Sequence, residues 1–113
     1  MFLSVGEYAK AEEYLHKAIT INTAIGDRNG EATCYGNLGA VFRSVGEYAK
    51  AEEYLHKALT INTEIGETNG EASCYGNLGA LFVHVGEYAK AEEYLHKAPV
   101  SYTHLTLPTK RIV

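Results

Sequence analysis

The chain has 113 residues, enough for one small domain whose single core is only modestly stable. Its hydrophobic content of 46% and charged content of 21% are ordinary for a soluble globular protein. A formal net charge of −4 argues against a nucleic-acid partner, because proteins bind phosphate backbones mainly through lysine and arginine. No apolar run is long enough to span a membrane, and the first four residues do not resemble a signal peptide.

One string of fourteen residues, VGEYAKAEEYLHKA, occurs three times without a change, at a spacing of forty residues. It begins at Val5, Val45 and Val85. A fixed period of this length predicts a repeat architecture. Comparison of residues 5–44 with residues 45–84 gives eight differences: Ile19/Leu59, Ala24/Glu64, Asp27/Glu67, Arg28/Thr68, Thr33/Ser73, Val41/Leu81, Arg43/Val83 and Ser44/His84.

Apolar or small residues at steps of three and four predict two helices within residues 28–65. Gly26 and Gly66 are placed to cap the second helix of successive repeats, and Glu47 is predicted in the first turn of that helix. Two antiparallel helices of about four turns cannot bury their apolar faces alone, so we predict an all-α fold, an α-solenoid of stacked antiparallel helix pairs. The two runs are Ala32, Tyr35, Leu38, Gly39, Phe42 and Val45, then Tyr48, Ala51, Tyr54, Leu55, Ala58, Ile61 and Ile65.

Gly39 and Ala51 lie at the predicted crossing of the two helices, where small residues let the backbones approach. Leu38, Tyr48 and Leu55 would fill the space around them. A bulky residue at Gly39 should force the helices apart, because overpacking typically costs about 1–3 kcal/mol.

The pattern of the repeat resembles the tetratricopeptide repeat, with Tyr35 at the usual tryptophan position. The resemblance covers residues 1–98, as a partial repeat at 1–25, a complete repeat at 26–65 and a partial repeat at 66–98. The forty-residue period and the missing proline after the second helix resemble the long-repeat subgroup typified by Pins-type adaptors and kinesin light chains. The matching residues are Tyr35, Asn37, Leu38, Gly39, Phe42, Gly46, Tyr48, Ala51, Tyr54, Leu55 and Ala58, and the pattern recurs from Tyr75 to Ala98.

The repeat stops abruptly after Ala98. Residues 100–109 read VSYTHLTLPT, which is similar to an out-of-place translation of a transposase adapter from sequencing libraries. We therefore expect residues 99–113 to be a non-native tail; the alternative is a genuine unstructured tail with a basic Lys110–Arg111 pair. Because Phe2 aligns with Phe42 and Phe82, we also expect residues 1–98 to be a fragment of a longer array.

The chemically reactive residue types do not form a catalytic pattern. His16, His56 and His96 occupy one helix position in three repeats, so we interpret them as solvated surface residues and not as metal ligands. Cys34 and Cys74 are likewise one position counted twice, interpreted as buried free thiols in a reducing, cytoplasmic setting; a disulfide is the alternative. We predict no enzymatic activity and no catalytic, metal-binding or cofactor-binding residue.

The family resemblance implies that the first helix of each repeat lines a concave groove for peptides. Asn37 and Asn77 can then bond a peptide backbone. Gly36 and Gly76 have two interpretations: close approach of a ligand backbone, or accommodation of neighbouring helices. The predicted groove residues are Thr33, Gly36, Asn37, Ala40, Arg43, Ser44, Ser73, Gly76, Asn77, Ala80, Val83 and His84.

Arg43/Val83 and Ser44/His84 are the least conservative differences between the repeats. The hypothesis is that they set the choice of partner; the alternative is drift at exposed helix ends. The sequence thus predicts a protein-interaction scaffold that binds a partner peptide and is able to self-associate through uncapped repeat ends. The alternative function is a regulatory or sensor segment of a larger signalling NTPase or enzyme.

Overall fold

The computed structural model describes residues 5–97, and within this range the chain is helical apart from short turns, with no strand. The predicted all-α fold is therefore confirmed. The expectations about Phe2 and about the tail at residues 99–113 lie outside the described residues. The helices are α1 (Val5–Ile25), α2 (Arg28–Ser44), α3 (Tyr48–Glu64), α4 (Thr68–His84) and α5 (Tyr88–Lys97).

Glycine ends each helix that is followed by a turn. The predicted caps Gly26 and Gly66 have φ of 77° and 72°, in the left-handed region that glycine adopts without strain. Gly46 does the same between α2 and α3: its N–H donates to the Arg43 carbonyl at 3.1 Å, and the next N–H donates to the Phe42 carbonyl at 2.8 Å. This Schellman geometry stops the helix and reverses the chain within three residues.

Glu47 lies one position earlier than predicted. It is the N-cap of α3, and not a residue of its first turn, because its carbonyl accepts the first helical hydrogen bond, from the N–H of Ala51 at 3.0 Å. Its side chain makes no cap hydrogen bond and lies 3.7 Å from the ammonium group of Lys50. The carboxylate thus pairs with a lysine of the first turn.

Each helix packs against the next one along the chain, and α2 also touches α4. Because the turns are so short, consecutive helices run antiparallel, and α2 with α3 forms one complete repeat. Val45 and Ile65 were predicted in the apolar runs but are 40% and 41% exposed, because each is the residue after its helix and lies in a turn. The core cluster comprises Leu38, Phe42, Ala51, Leu55, Leu78, Leu81, Phe82 and Ala91.

The predicted close crossing at Gly39 and Ala51 is confirmed. A methyl group added at Gly39 would lie 2.8 Å from Cγ of Leu55 and 3.3 Å from the backbone oxygen of Ala51. Gly79 meets Leu95 and the backbone of Ala91 in the same way, at 2.7 and 3.4 Å. The small residues therefore set the distance between the two helices of each repeat.

The histidines of the identical string lie at the surface, as interpreted from the sequence: His16 and His96 are exposed and His56 is half-buried. The His16 ring on α1 lies 6.1 Å from the Tyr54 ring on α3, edge to face, and His56 makes the same contact with Tyr94 on α5 at 5.9 Å. Each of these tyrosines also stacks on a phenylalanine of its own repeat, Phe42 for Tyr54 at 5.4 Å. The histidine position therefore joins the second helices of successive repeats.

Candidate functional site

An open cleft of about 430 Å³ runs between α2 and α4, the first helices of two successive repeats. On α2 its wall extends from Asn29 to Ala40, about 16 Å at 1.5 Å per residue. The lining residues are Asn29, Ala32, Thr33, Gly36, Asn37, Ala40, Ala58, Asn62, Glu67, Asn69, Gly70, Ser73, Cys74 and Asn77.

Each wall carries a stripe of neutral polar side chains at intervals of four residues, which places them on one helix face. Each stripe has three residues, and all six of their side chains are exposed. The structure gives the four asparagine carboxamides no hydrogen bond within residues 5–97, whereas the Thr33 hydroxyl donates to the Asn29 backbone carbonyl at 3.0 Å. Each carboxamide therefore offers two donors and an acceptor to a ligand. The stripes are Asn29, Thr33 and Asn37 on α2, and Asn69, Ser73 and Asn77 on α4.

A different kind of asparagine forms part of the cleft floor. Asn62, at the end of α3, is only 6% exposed, and its amide donates to Sγ of Cys74 at 3.6 Å. It packs so closely on Gly70 that a methyl group added there would lie 2.6 Å from its side chain. Asn22 donates to Cys34 at the same distance, 3.6 Å. The amides of Asn62 and Asn22 therefore contribute to packing between helices and are already hydrogen-bonded.

The two cysteines are free and buried, as predicted. Burial raises the pKa of the Cys74 thiol above its ordinary value, only partly opposed by the Asn62 hydrogen bond. The thiol is therefore protonated at neutral pH, which makes it a poor nucleophile. Cys74 serves as an apolar part of the floor.

Two of the eight differences between the repeats meet in an ion pair near one end of the cleft. One guanidinium nitrogen of Arg28 lies 2.6 Å from Glu64, and the other lies 3.1 Å from Glu31. The hydrogen bonds that the guanidinium donates to Glu64 and, with a smaller effect, to Glu31 raise the pKa of Arg28. Sequence reasoning missed this pair, although a signal was present. Glu64 corresponds to Ala24 in the preceding repeat and Arg28 corresponds to Thr68 in the following one, so an acid and a base both appear at helix ends of the same repeat.

The cleft contains half of the predicted groove residues: Thr33, Gly36, Asn37, Ala40, Ser73 and Asn77. Arg43 lines a smaller depression beside it. Ser44, Ala80, Val83 and His84 are exposed and Gly76 is buried, and none of these five lines the cleft or the depression. The ring of His84 instead lies 5.1 Å from that of Tyr48. A role for these five residues in binding stays a prediction.

Gly36 and Gly76 have different surroundings despite their equivalent positions. A methyl group added at Gly36 would meet nothing within 4 Å, so no described neighbour requires a glycine there. Gly76 is buried, which fits the accommodation of neighbouring helices. Only Gly36 remains a candidate for close approach of a ligand backbone.

Asn29 and Asn69 are the lining residues that sequence reasoning should have included. Each lies four residues before a predicted groove residue, Thr33 or Ser73, and so on the same helix face. Both are also unchanged between the repeats. Asn62 could not be found in this way, because it reaches the cleft from α3.

Stacked antiparallel helix pairs with a cleft between their first helices define a helical-repeat protein. The chain belongs to the tetratricopeptide repeat family, whose model matches residues 1–64 and 37–98. Tetratricopeptide repeats generally mediate protein–protein interaction. No curated protein matches the chain significantly.

Residues 5–97 contain neither a membrane-spanning helix nor a cluster of possible metal ligands. No helix in this range is both long and apolar enough to cross a membrane. The same range contains no group of three or more histidine, cysteine, aspartate or glutamate residues that could hold a metal ion.

Proposed function

We propose that the cleft between α2 and α4 binds an extended segment of a partner protein, mainly through the main chain of that segment. The observation that carries the proposal is the pair of asparagine stripes whose amides have no partner within residues 5–97. A peptide backbone presents alternating N–H and C=O groups, and a carboxamide can bond either. Such contacts give affinity with little dependence on side chains.

The dimensions of the cleft support this ligand. A wall of about 16 Å accommodates about five extended residues at 3.3 Å each. The apolar residues that line the cleft on α2 are small, Ala32, Gly36 and Ala40, so a backbone can approach the helix closely. Bulky side chains at these positions would fill the cleft.

The proposal describes a non-catalytic scaffold in the cytoplasm, with a protein partner and not a nucleic acid. Two free buried thiols support a reducing compartment, and the net charge of −4 disfavours nucleic acid. The forty-residue period supports membership of the long-repeat subgroup. The alternative, a regulatory segment of a larger signalling NTPase or enzyme, would use the same cleft, and the sequence of the parent gene decides between them.

Selection from a display library of random nine-residue peptides tests the proposal. The full chain is compared with the double variant Asn37→Ala/Asn77→Ala, and affinities of selected peptides are measured by calorimetry. Because each lost neutral hydrogen bond contributes about 1 kcal/mol, we expect the double variant to bind the selected peptides at least about tenfold more weakly. Both residues are exposed, so the thermal melt should not fall.

The matched control is Glu53→Gln, a change of one exposed side chain on α3, outside the residues that line the cleft. It should select the same peptides with the same affinity as the unchanged chain. Equal affinities for the chain and for the double asparagine variant would exclude the cleft as the binding site.

A further inference from the structure

We propose that Asn69 is a site of spontaneous modification, where the side-chain amide is converted to a carboxylate without an enzyme. Asn69 is exposed in the first turn of α4 and is followed by Gly70. The product is an aspartate or isoaspartate in the wall of the cleft. The chemistry is independent of the proposed function, and only its effect on peptide binding rests on that function.

The reaction is an intramolecular substitution at the Asn69 side chain. The Gly70 backbone nitrogen loses its proton and attacks Cγ of Asn69, a bond forms between these two atoms, and the side-chain nitrogen leaves as ammonia, protonated through solvent. Water then opens the succinimide ring at either carbonyl, which gives aspartate or isoaspartate. The overall reaction consumes one water and releases one ammonia. Glycine favours the attack because it has no side chain to crowd the nitrogen.

The structure explains why this reactive pair occurs in the repeat. A methyl group added at Gly70 would lie 2.6 Å from the side chain of Asn62, so the packing of α3 against α4 requires a glycine. The preceding asparagine lines the cleft. The chain contains a second pair of the same kind, Asn29 and Gly30, at the start of α2. The two pairs therefore allow a comparison within one molecule.

The first turn of α2 is held at its cap, whereas that of α4 is not. The Gly30 N–H donates to Oδ1 of Asp27 at 2.9 Å, so the nitrogen that would attack Asn29 is held by another acceptor. Glu67 replaces the aspartate before α4, and its side chain makes no cap hydrogen bond. No side chain within residues 5–97 accepts a hydrogen bond from the Gly70 N–H. An uncapped first turn opens more often than a capped one.

A second restraint holds the first turn of α2. Arg28 bonds two carboxylates, of which Glu64 at the end of α3 lies 2.6 Å away. Thr68 occupies the equivalent position, and its side chain has no hydrogen bond within residues 5–97. The link between α3 and α4 is a hydrogen bond from the neutral Thr63 hydroxyl to Glu71 at 3.1 Å. Because hydrogen bonds between charged groups are stronger, the start of α4 is the less restrained of the two.

Opening of the first turn controls the reaction, because closure of the five-membered ring requires a ψ far from the helical value of about −42°. The N–H groups of this turn have no carbonyl partner in the helix, so it opens at low cost. Loss of a typical N-cap interaction raises the open population about fivefold. We therefore expect Asn69 to be converted about fivefold faster than Asn29, and both to be slower than in the unfolded chain.

Conversion changes what the wall of the cleft offers to a peptide. The Asn69 amide has two donors and an acceptor, whereas a carboxylate only accepts. The new charge lies beside Glu67, the charged residue among the described residues that line the cleft. Isoaspartate also adds a methylene group to the main chain, which does not fit the helix. If the cleft binds peptides as proposed, their affinity should therefore fall as the protein ages.

Peptide mapping of the aged chain tests the proposal. The full chain is kept in mildly alkaline buffer and digested at intervals, and mass spectrometry with fragmentation follows the conversion of Asn29 and Asn69. An unaged sample corrects for conversion during digestion. In the folded chain Asn69 should be converted about fivefold faster than Asn29, and in guanidinium chloride the two rates should be equal. Both rates should rise with pH, because the attacking nitrogen must lose its proton.

Two reciprocal double variants are the matched controls. Glu67→Asp/Thr68→Arg gives α4 the restraints of α2, and should slow conversion of the α4 asparagine about fivefold. Asp27→Glu/Arg28→Thr does the reverse, and should accelerate conversion of the α2 asparagine by about the same factor. None of the four replaced side chains is buried, so both variants should keep the fold.

Equal rates at the two asparagines of the folded chain would overturn the proposal, and so would an Asn69 that is not converted. A ratio that persists in guanidinium chloride, or that the reciprocal variants leave unchanged, would overturn the assigned cause, because the fold would not set the rates.

Peptide binding is a separate measurement. Asn69→Asp, which copies one product, should bind selected peptides about fivefold more weakly than the chain, the effect of one lost hydrogen bond. Equal affinities would overturn the effect on binding and leave the modification itself intact. Failure of the unchanged chain to select any peptide would overturn the proposed function, whereas the conversion rates would still decide this inference.

Discussion

The outer face of α3 and the walls of the cleft differ in whether their polar side chains have partners within the described chain. On α3, Lys57 lies 3.8 Å from Glu53 and 5.2 Å from the centre of the Tyr54 ring, and His56 lies 3.7 Å from Glu52. On the walls of the cleft the asparagine carboxamides have no partner within residues 5–97. The charged groups of the outer face are paired with one another, whereas the amides of the cleft walls are available to a ligand.

This difference supports the proposed function in the cleft, whose two walls are helices that the identical string does not cover. The string supplies the turn before the second helix and most of that helix, Tyr48 to Ala58 of α3, together with its packing and its internal charge pairs. Exposed amides are hydrogen-bonded by water, so the cleft can keep them unpaired without loss of stability. Changes on the two faces should therefore have separable effects on stability and on binding.

The largest difference in the effect on stability is expected between alanine substitutions at two glycines of α2 that lie three residues apart. Gly39→Ala should lower the free energy of unfolding by about 1–2 kcal/mol, because the new methyl group meets Leu55 at 2.8 Å. Gly36→Ala should raise it by up to about 1 kcal/mol, because alanine favours the helix and its methyl group meets nothing within 4 Å. Urea unfolding of the two variants measures both changes.

The same pair tests the cleft. If a peptide backbone approaches Gly36, Gly36→Ala should weaken peptide binding while it stabilises the fold. A stabilised variant that binds selected peptides as well as the unchanged chain would show that Gly36 does not face the ligand. Loss of stability in Gly36→Ala would contradict the open space at this position.

The next largest difference in stability is expected between changes at an asparagine of the cleft floor and at one of the cleft wall. Asn62→Ala removes the buried amide that bonds Cys74 and leaves a small cavity, so it should cost about 1–2 kcal/mol of stability. Asn77→Ala, on the exposed wall, should stabilise by a few tenths of a kcal/mol, since alanine is the better helix former. Denaturant midpoints measure both, and equal midpoints would remove the distinction between the two kinds of asparagine.

The fold was predictable because its signals are local. Helix periodicity, glycine at the turns and small residues at Gly39 and Ala51 are properties of one segment, and the structure confirms them. Val45 and Ile65 were predicted wrongly, because a periodic pattern continues by one residue into the turn that ends each helix.

The site was predictable only in part because its remaining residues meet across helices. Half of the predicted groove residues line the cleft, and the family resemblance had placed all of them on the first helix of a repeat. The contribution of Asn62 from α3, and the pairing of Arg28 with Glu64, depend on how one helix lies against the next. No spacing within one helix contains that information.

The smallest effects on stability should come from changes on the outer face of α3. Two variants there distinguish the contribution of an ion pair from that of a cation–π contact. Glu53→Gln removes an exposed pair on α3 and should cost no more than about 0.5 kcal/mol. Lys57→Gln also removes an ammonium group that lies 5.5 Å from the Tyr35 ring centre and 5.2 Å from that of Tyr54, so its cost should be nearer 1 kcal/mol. Urea unfolding at low and at high salt distinguishes the two contributions, because salt screens exposed pairs. Equal costs for the two variants would mean that the rings add nothing, and weaker peptide binding by either would show that the outer face is not independent of the cleft.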